Sequence, residues 1–182
     1  MITATHLPPT EKQGPRRGAT WCGFEMQQLP DALLMWEQAY NELCPENVVE
    51  IGTGRGAFSL FHKAQAEQRG HRFNTFDIRR CLHHKRLGHC WHVCNVFAER
   101  DYFSRFLSGY GKTLLFCDGG NKPLEVNTFG PMLHPGDVIA AHDWGCEIRW
   151  TQITEPVKSQ FSVLTGFDVW DRYTLWMRKE SA

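Results

Sequence analysis

A glycine-rich segment between a strand and a helix limits most strongly what this chain can fold into. Residues 48–56 read Val-Val-Glu-Ile-Gly-Thr-Gly-Arg-Gly, and apolar residues at helical spacing follow. β-Branched residues favour a strand, and glycine lets the backbone turn sharply and lets a ligand approach closely. A strand, a glycine turn and a helix N-terminus form the first ligand-binding corner of an open α/β sheet. The alternative is the same corner without a ligand.

The rest of the chain alternates between strand and helix patterns. Further strands are predicted at residues 72–76, 90–96, 113–117 and 136–141, with two more between residues 161 and 178 that turn near Asp171-Arg172. Helices are predicted at residues 29–43, from residue 57 to a C-cap at Gly70, and at residues 97–107 and 123–133. This order predicts a Rossmann-like α/β fold, a seven-stranded, mostly parallel sheet with helices on both faces. We expect one domain over residues 21–182 and a flexible arm over residues 1–20.

Polar residues stand at or just past the ends of the five strands predicted to be parallel. They are Glu50, Asp77, Asn95, Asp118, His142 and Asp143. Ligands of such sheets bind beyond the carboxyl ends of the strands. We therefore expect these side chains to share one site.

The glycine spacing differs from that of phosphate-binding loops. Residues 50–56 read Glu-x-Gly-x-Gly-x-Gly, and Leu-His-Pro-Gly-Asp at residues 133–137 precedes the fifth strand. Over residues 48–144 the chain resembles class I S-adenosylmethionine-dependent methyltransferases, in particular the small catechol- and macrocin-type O-methyltransferases and the cephalosporin hydroxylase group. The resemblance implies methyl transfer from S-adenosylmethionine to an oxygen of a small molecule. A nicotinamide-dependent oxidoreductase and a non-catalytic cofactor-binding module remain alternatives.

The resemblance also implies where the cofactor binds. An acid beside the turn suits the cationic part of S-adenosylmethionine, and the helix N-terminus suits its carboxylate. Asp77 would hold the ribose or instead cap a helix, and Asn95 would contact adenine or instead stabilise a turn. The predicted cofactor-binding residues are Glu50, Gly52, Thr53, Gly54, Gly56, Asp77, Asn95 and Asp118.

Three roles remain open for the residues after the fourth and fifth strands. Metal-dependent relatives hold a divalent cation at the places of Asp118, His142 and Asp143, although His142 stands where an aspartate is usual. Bound Mg²⁺ would lower the pKa of an acceptor hydroxyl. Without metal, His142 is a candidate base and Lys122 a second one. In the third alternative, Asp118 and Asp143 only cap helices and bind loop amides.

Two other clusters have a structural and a functional interpretation. Cys81, His83, His84, His89, Cys90, His92 and Cys94 lack the paired Cys-x-x-Cys spacing of a zinc site. We predict instead that Cys90, His92 and Cys94 alternate onto one face of a strand, and that the adjacent basic residues form a solvated surface rather than an anion site. Trp21, Phe24, Met26, Trp144 and Trp150 would line an aromatic acceptor site, or pack in the core or a dimer contact. Gln27 and Gln28 lie beside this region.

Composition limits the partners. Lys+Arg and Asp+Glu number 20 each, which argues against nucleic acid bound through its phosphates. No apolar run reaches membrane-spanning length. The seven cysteines, without a secretory signal, predict reduced thiols in the cytoplasm. We expect a small-molecule acceptor, and a homodimer is left open.

Overall fold

The computed structural model describes residues 20–80, 82–108, 111–167 and 172–181. A short hairpin comes first, formed by β1 (Thr20–Trp21) and β2 (Phe24–Glu25). The strands of the main sheet are β3 (Asn47–Ile51), β4 (Arg72–Asp77), β5 (Trp91–Val93), β6 (Thr113–Cys117), β7 (Val138–Ala141), β8 (Phe161–Val163) and β9 (Leu175–Lys179).

These seven strands lie in the order β5-β4-β3-β6-β7-β9-β8. The first five in this order are parallel, and β9 is antiparallel to both of its neighbours. The order reverses between β3 and β6, so that a crevice opens at their carboxyl ends. The predicted seven-stranded, mostly parallel sheet is confirmed.

Helices cover both faces of the sheet. They are α1 (Asp31–Leu43), α2 (Ala57–Arg69), α3 (Arg100–Leu107), α4 (Lys122–Phe129) and α5 (Glu155–Lys158). The residues of β6 are all buried and alternate between the faces. Leu114 and Phe116 pack with α1 and α2, whereas Leu115 and Cys117 pack with α3 and α4. Within the described part of the chain, no helix has both the length and the apolar character needed to cross a bilayer.

The turn before β7 owes its shape to one aspartate. Gly136 has a φ of 91°, a conformation that favours glycine. Asp137 then accepts the backbone amides of Thr113 and His134, each at 2.7 Å. Asp137 thereby fixes β7 beside the start of β6, which is the structural reason for the Pro-Gly-Asp sequence.

Several predicted elements are shorter than expected: α4, for example, ends at Phe129 rather than at residue 133, and β7 begins at Val138 rather than at residue 136. The third parallel strand covers Trp91–Val93 rather than residues 90–96, and α3 begins at Arg100 rather than at residue 97. The physical reason is a turn in which Asn95 Oδ1 accepts the amides of Phe97 and Ala98. The prediction that Cys90 and Cys94 share one face of a strand is wrong, because they pack in the cores on opposite sides of the sheet.

Some predictions concern residues outside the described ranges. Residues 1–19 of the predicted arm lie outside them, and Thr20 begins β1. Asp171, at the predicted turn between the last two strands, is likewise outside, although β8 and β9 pair antiparallel as that turn requires.

Candidate active site

A cavity of 1110 Å³ opens at the carboxyl ends of the parallel strands. Every cofactor, metal or catalytic residue proposed from the sequence lines it, and these residues come from the ends of β3 and β4 and from the segments after β3, β5, β6 and β7. The topology explains this convergence, because parallel strands bring their carboxyl ends to one edge. The structure thus brings the strand-end side chains together at one cavity, and their functional roles stay predictions.

The glycine turn forms one wall of the cavity. Gly52, Gly54 and Gly56 have φ values of 98°, 54° and 84°. A Cβ atom on Gly52 would lie 2.3 Å from the main-chain oxygen of Asp118. Glycine is therefore required at position 52 by both the backbone conformation and the close approach of the β6 end.

Glu50 and Thr53 lie under this turn and are almost fully buried. The Ser59 hydroxyl of α2 donates a hydrogen bond to Glu50 Oε2. Burial raises the pKa of Glu50 to about 8, so this carboxyl is mostly neutral at pH 7. Thr53 shares a 2.7 Å hydrogen bond with Thr75 of β4. Both side chains thus join the turn to the elements behind it.

Asp77 braces the glycine turn from the end of β4. Its Oδ2 accepts the Gly54 amide at 3.0 Å, and its Oδ1 accepts the Arg79 amide at 2.8 Å. A carboxylate oxygen has a second lone pair, which remains for a ribose hydroxyl in the cavity. The alternative prediction was that Asp77 caps a helix. These two hydrogen bonds form no helix cap, because the Gly54 and Arg79 amides both lie in loops.

Asn95 stabilises the turn after β5 through Oδ1, as described for the fold. The turn role that the sequence left open is therefore present in the structure. Because Asn95 also lines the cavity, a contact with adenine stays a prediction.

An acidic and basic cluster lines the cavity at the ends of β6 and β7. His142 Nδ1 lies 3.0 Å from Asp118 Oδ1 and 3.4 Å from Asp143 Oδ2. Lys122 Nζ lies 3.0 Å from Asp143 Oδ2, 3.6 Å from Asp118 Oδ1 and 2.8 Å from Glu147 Oε2. The Lys122 ammonium also donates to the Gly119 carbonyl at 2.9 Å, and its exposed fraction is 4%.

The two basic residues of the cluster hold their protons tightly. Burial lowers the pKa of His142, but Asp118 and Asp143 outweigh burial and raise that pKa to about 10. Burial likewise opposes the charge of Lys122, yet Glu147, Asp118 and Asp143 raise its pKa above the ordinary value. Burial raises the pKa of Asp143, but His142 and Lys122 bring it well below the ordinary value. In this arrangement His142 and Lys122 are protonated at neutral pH, which speaks against the predicted role of either as a general base.

The same cluster fits a divalent cation. Asp118, His142 and Asp143 each offer one ligand atom, and these atoms lie within 4.8 Å of one another. Two carboxylates suit Mg²⁺ or Mn²⁺, whereas an imidazole ligand is less usual for Mg²⁺. A cation there would compete with the proton on His142 and with the Lys122 ammonium for the same carboxylates.

Sequence reasoning missed part of the site. Glu125, buried on α4, accepts the amides of Gly119 and Asn121 at 3.2 Å each, and burial raises its pKa to about 7. It shapes the loop after β6, because a Cβ on Gly119 would lie 2.3 Å from Glu125 Oε1. The Asn121 cap followed four residues later by a glutamate was the available signal.

The two glutamines before α1, Gln27 and Gln28, also line the cavity. Gln27 Oε1 accepts the Arg55 amide at 3.0 Å, at the glycine turn. Gln28 Nε2 donates to Asp118 Oδ2 at 2.6 Å. The sequence predicted that these two residues lie near the cleft, but it did not predict which residues they contact.

Among the described residues that line this cavity are Phe58, Phe76 and Phe97, but none of the five side chains predicted to form an aromatic acceptor site. Trp21 packs edge-on against Phe61 at 5.5 Å, and Phe24 lies under Arg86 at 4.8 Å. Met26 is buried in the core on the α1 side, and Trp144 and Trp150 pack against the core on the other face. Core packing, one of the two interpretations of the sequence, is what the structure shows for these residues.

The Cys/His-rich segment shows ordinary packing where it is described. His92 bonds to Asn74 and Tyr102, and the Cys90 thiol contacts the Leu87 carbonyl. Among the described side chains, no set of metal ligands includes these residues. Cys81, His83 and His84 lie outside the described side chains.

Solved structures of low sequence identity share the fold. CmcI with SAH matches at a TM-score of 0.65 and 16% identity, over 94% of this chain and 87% of that chain. CmcI with Mg and SAM matches at 0.66 and 14% identity, over 90% and 77%. MycE, a methyltransferase of the mycinamycin biosynthetic pathway solved with Mg and SAH, matches at 0.54 and 15% identity, over 83% of this chain and 49% of that chain.

No protein-family profile and no curated protein sequence matches the chain. The structural matches confirm the predicted class I methyltransferase fold.

Proposed function

We propose that this protein transfers the methyl group of S-adenosylmethionine to an oxygen of a small molecule. The observation that carries the proposal is the Gly54–Asp77 hydrogen bond within a cavity that ends at the Asp118, His142 and Asp143 cluster. One cavity thus joins a nucleoside-binding type of turn to a site that suits an oxygen acceptor. The CmcI and MycE structures with SAM or SAH and Mg support the same assignment.

The cofactor occupies the half of the cavity between β3 and β4. The amides at the start of α2 face its carboxylate, because a helix N-terminus favours negative charge. Asp77 accepts the ribose hydroxyls, and Asn95 lies where the adenine would reach the segment after β5.

The acceptor occupies the half of the cavity beside β7. Asp118, His142 and Asp143 would hold a divalent cation, which when bound lowers the pKa of an acceptor hydroxyl and orients its oxygen. These residues position the oxygen in line with the methyl group, and orientation of this kind accounts for much of the acceleration in such transfers. The acceptor hydroxyl releases its proton to solvent water, the oxygen–carbon bond forms as the carbon–sulfur bond breaks, and neutral S-adenosylhomocysteine leaves.

Turnover tests the proposal. The protein is incubated with S-adenosylmethionine and a panel of catechols, phenols and sugar alcohols, with Mg²⁺, with Mn²⁺ or with EDTA, and release of S-adenosylhomocysteine is measured by mass spectrometry. We expect acceptor-dependent release that EDTA suppresses. Binding of S-adenosylhomocysteine without turnover on any acceptor would favour the non-catalytic module, and activity unchanged by EDTA would remove the metal from the proposal.

A further inference from the structure

Gln28 carries a buried polar atom without a partner. The exposed fraction of Gln28 is 8%, and the residue lines the active-site cavity. Its Nε2 donates to Asp118 Oδ2 at 2.6 Å, whereas Oε1 is buried and has no hydrogen-bond partner. A buried acceptor left unpaired costs free energy, so a ligand that donates to it would gain binding energy.

The orientation of this carboxamide follows from Asp118. A carboxylate only accepts hydrogen bonds, so the NH₂ group of Gln28 must face Asp118 Oδ2. The oxygen therefore has to be the free atom. Its partner in a complex must be an N–H or O–H donor.

The two oxygens of Asp118 divide the cavity. Oδ1 faces His142, in the half assigned to the acceptor, and Oδ2 faces Gln28. The preceding residue, Gln27, contacts the Arg55 amide at the glycine turn. Gln28 consequently belongs to the cofactor half, next to the segment that faces the methionine part of the cofactor.

Two consecutive residues, Gln27 and Gln28, thus contact the glycine turn and Asp118. The methionine part of S-adenosylmethionine carries its ammonium and carboxylate on one carbon atom. Gln27 Oε1 now holds the Arg55 amide, which a ligand carboxylate would take over. When that exchange occurs, the neighbouring ammonium comes beside the consecutive residue, Gln28, and beside the negative charge of Asp118.

We propose that Gln28 Oε1 accepts a hydrogen bond from the α-ammonium group of the cofactor, and that Gln28 and Asp118 together select for this group. This inference rests on the proposed function. Ribose and adenine donors are assigned to Asp77 and Asn95, on other segments of the cavity wall. The ammonium is the remaining charged donor of the cofactor, and a charged donor forms the stronger hydrogen bond.

The test compares two ligands and measures their dissociation constants by calorimetry. One is S-adenosylhomocysteine, and the other is the analogue in which hydrogen replaces the α-amino group. For the wild-type protein we expect the analogue to bind about tenfold more weakly or worse. For Gln28→Leu we expect the two ligands to bind within about threefold of each other, because the amino group has lost its acceptor.

One further variant completes the test. Gln38→Leu makes the same chemical change on α1, where the Gln38 amide bonds to Glu42, and should leave both affinities unchanged. Melting temperatures of all variants establish that they fold.

The outcomes are distinct. If Gln28→Leu weakens both ligands by the same factor, Gln28 acts only through the fold and the inference is overturned while the proposed function stands. If the wild-type protein binds both ligands equally, the inference also fails. If the wild-type protein binds neither ligand, the proposed function fails and the inference fails with it.

Discussion

The backbone amide of Gly54 donates a 3.0 Å hydrogen bond to Asp77 Oδ2. This contact joins the glycine turn after β3 to the acidic end of β4, which is the adjacent strand of the sheet. The carboxylate is thereby fixed at the cavity wall before any ligand arrives. A site held in this way loses less conformational entropy when it binds.

Replacing Asp77 with alanine should weaken the binding of S-adenosylhomocysteine by about 1–3 kcal/mol, because the ribose hydroxyls lose their acceptor and the Gly54 amide loses its partner. Calorimetry measures the effect. Asp101→Ala, on the first turn of α3, is the matched control and should bind like the wild-type protein. Unchanged affinity in Asp77→Ala would refute the ribose assignment.

Gly52 should not tolerate a methyl group. Gly52→Ala places a Cβ 2.3 Å from the Asp118 main-chain oxygen at a φ of 98°, and a strained backbone of this kind costs roughly 1–3 kcal/mol. We expect a lower melting temperature and weaker cofactor binding. Gly120→Ala is the control, because nothing lies within 4 Å of its added Cβ. Equal melting temperatures for the two variants would contradict the close approach of β3 and β6.

Glu50 should make stability depend on pH. Its folded-state pKa of about 8 exceeds the ordinary value of 4.5, so the folded state binds this proton more tightly than the unfolded state. The contribution of Glu50 is most favourable below pH 4.5 and declines as pH rises to about 8. Relative to Glu50→Gln, which cannot titrate, the wild-type protein should lose on the order of a few kcal/mol across this window.

Urea denaturation of both proteins at several values of pH between 4.5 and 8.5 measures this difference. Glu125, whose pKa is raised to about 7, titrates in both proteins, so that its effect cancels in the comparison. Parallel pH profiles for the two proteins would show that Glu50 is ionised in the folded state.

Lys122 should compete with a divalent cation. Its ammonium lies 3.0 Å from Asp143 and 3.6 Å from Asp118, both predicted metal ligands. Lys122→Met removes this positive charge, and we expect Mn²⁺ to bind about tenfold more tightly by calorimetry. Lys158→Met, on α5, where Lys158 pairs with Glu155, should change nothing. Weaker Mn²⁺ binding in Lys122→Met would mean that Lys122 supports the site instead of competing for it.

The sequence was sufficient for the parts of the fold with strong local signals. The β6 segment is a continuous apolar run, and its bounds, Thr113–Cys117, agree with the prediction. Helix α2 ends at Arg69, and Gly70 caps it in a left-handed conformation, as the sequence predicted. The strand-end acids converge because parallel topology alone requires it.

Other features depend on contacts between distant segments and could not be read locally. The end of β5 is set by the Asn95 turn, which competes with a strand pattern that continues to residue 96. The pKa of His142 depends on Asp118, 24 residues away. Gln28 meets Asp118 across 90 residues of sequence, and no periodicity or motif signals such a pair.

Calorimetric titration with S-adenosylhomocysteine, and in parallel with NAD, is the most direct test of the glycine turn as a methyl-donor site. We predict saturable binding of S-adenosylhomocysteine at one site per chain, weakened in Asp77→Ala, and no heat from NAD. Saturable binding of NAD with none of S-adenosylhomocysteine would contradict the account and would make the chain an oxidoreductase on the same sheet.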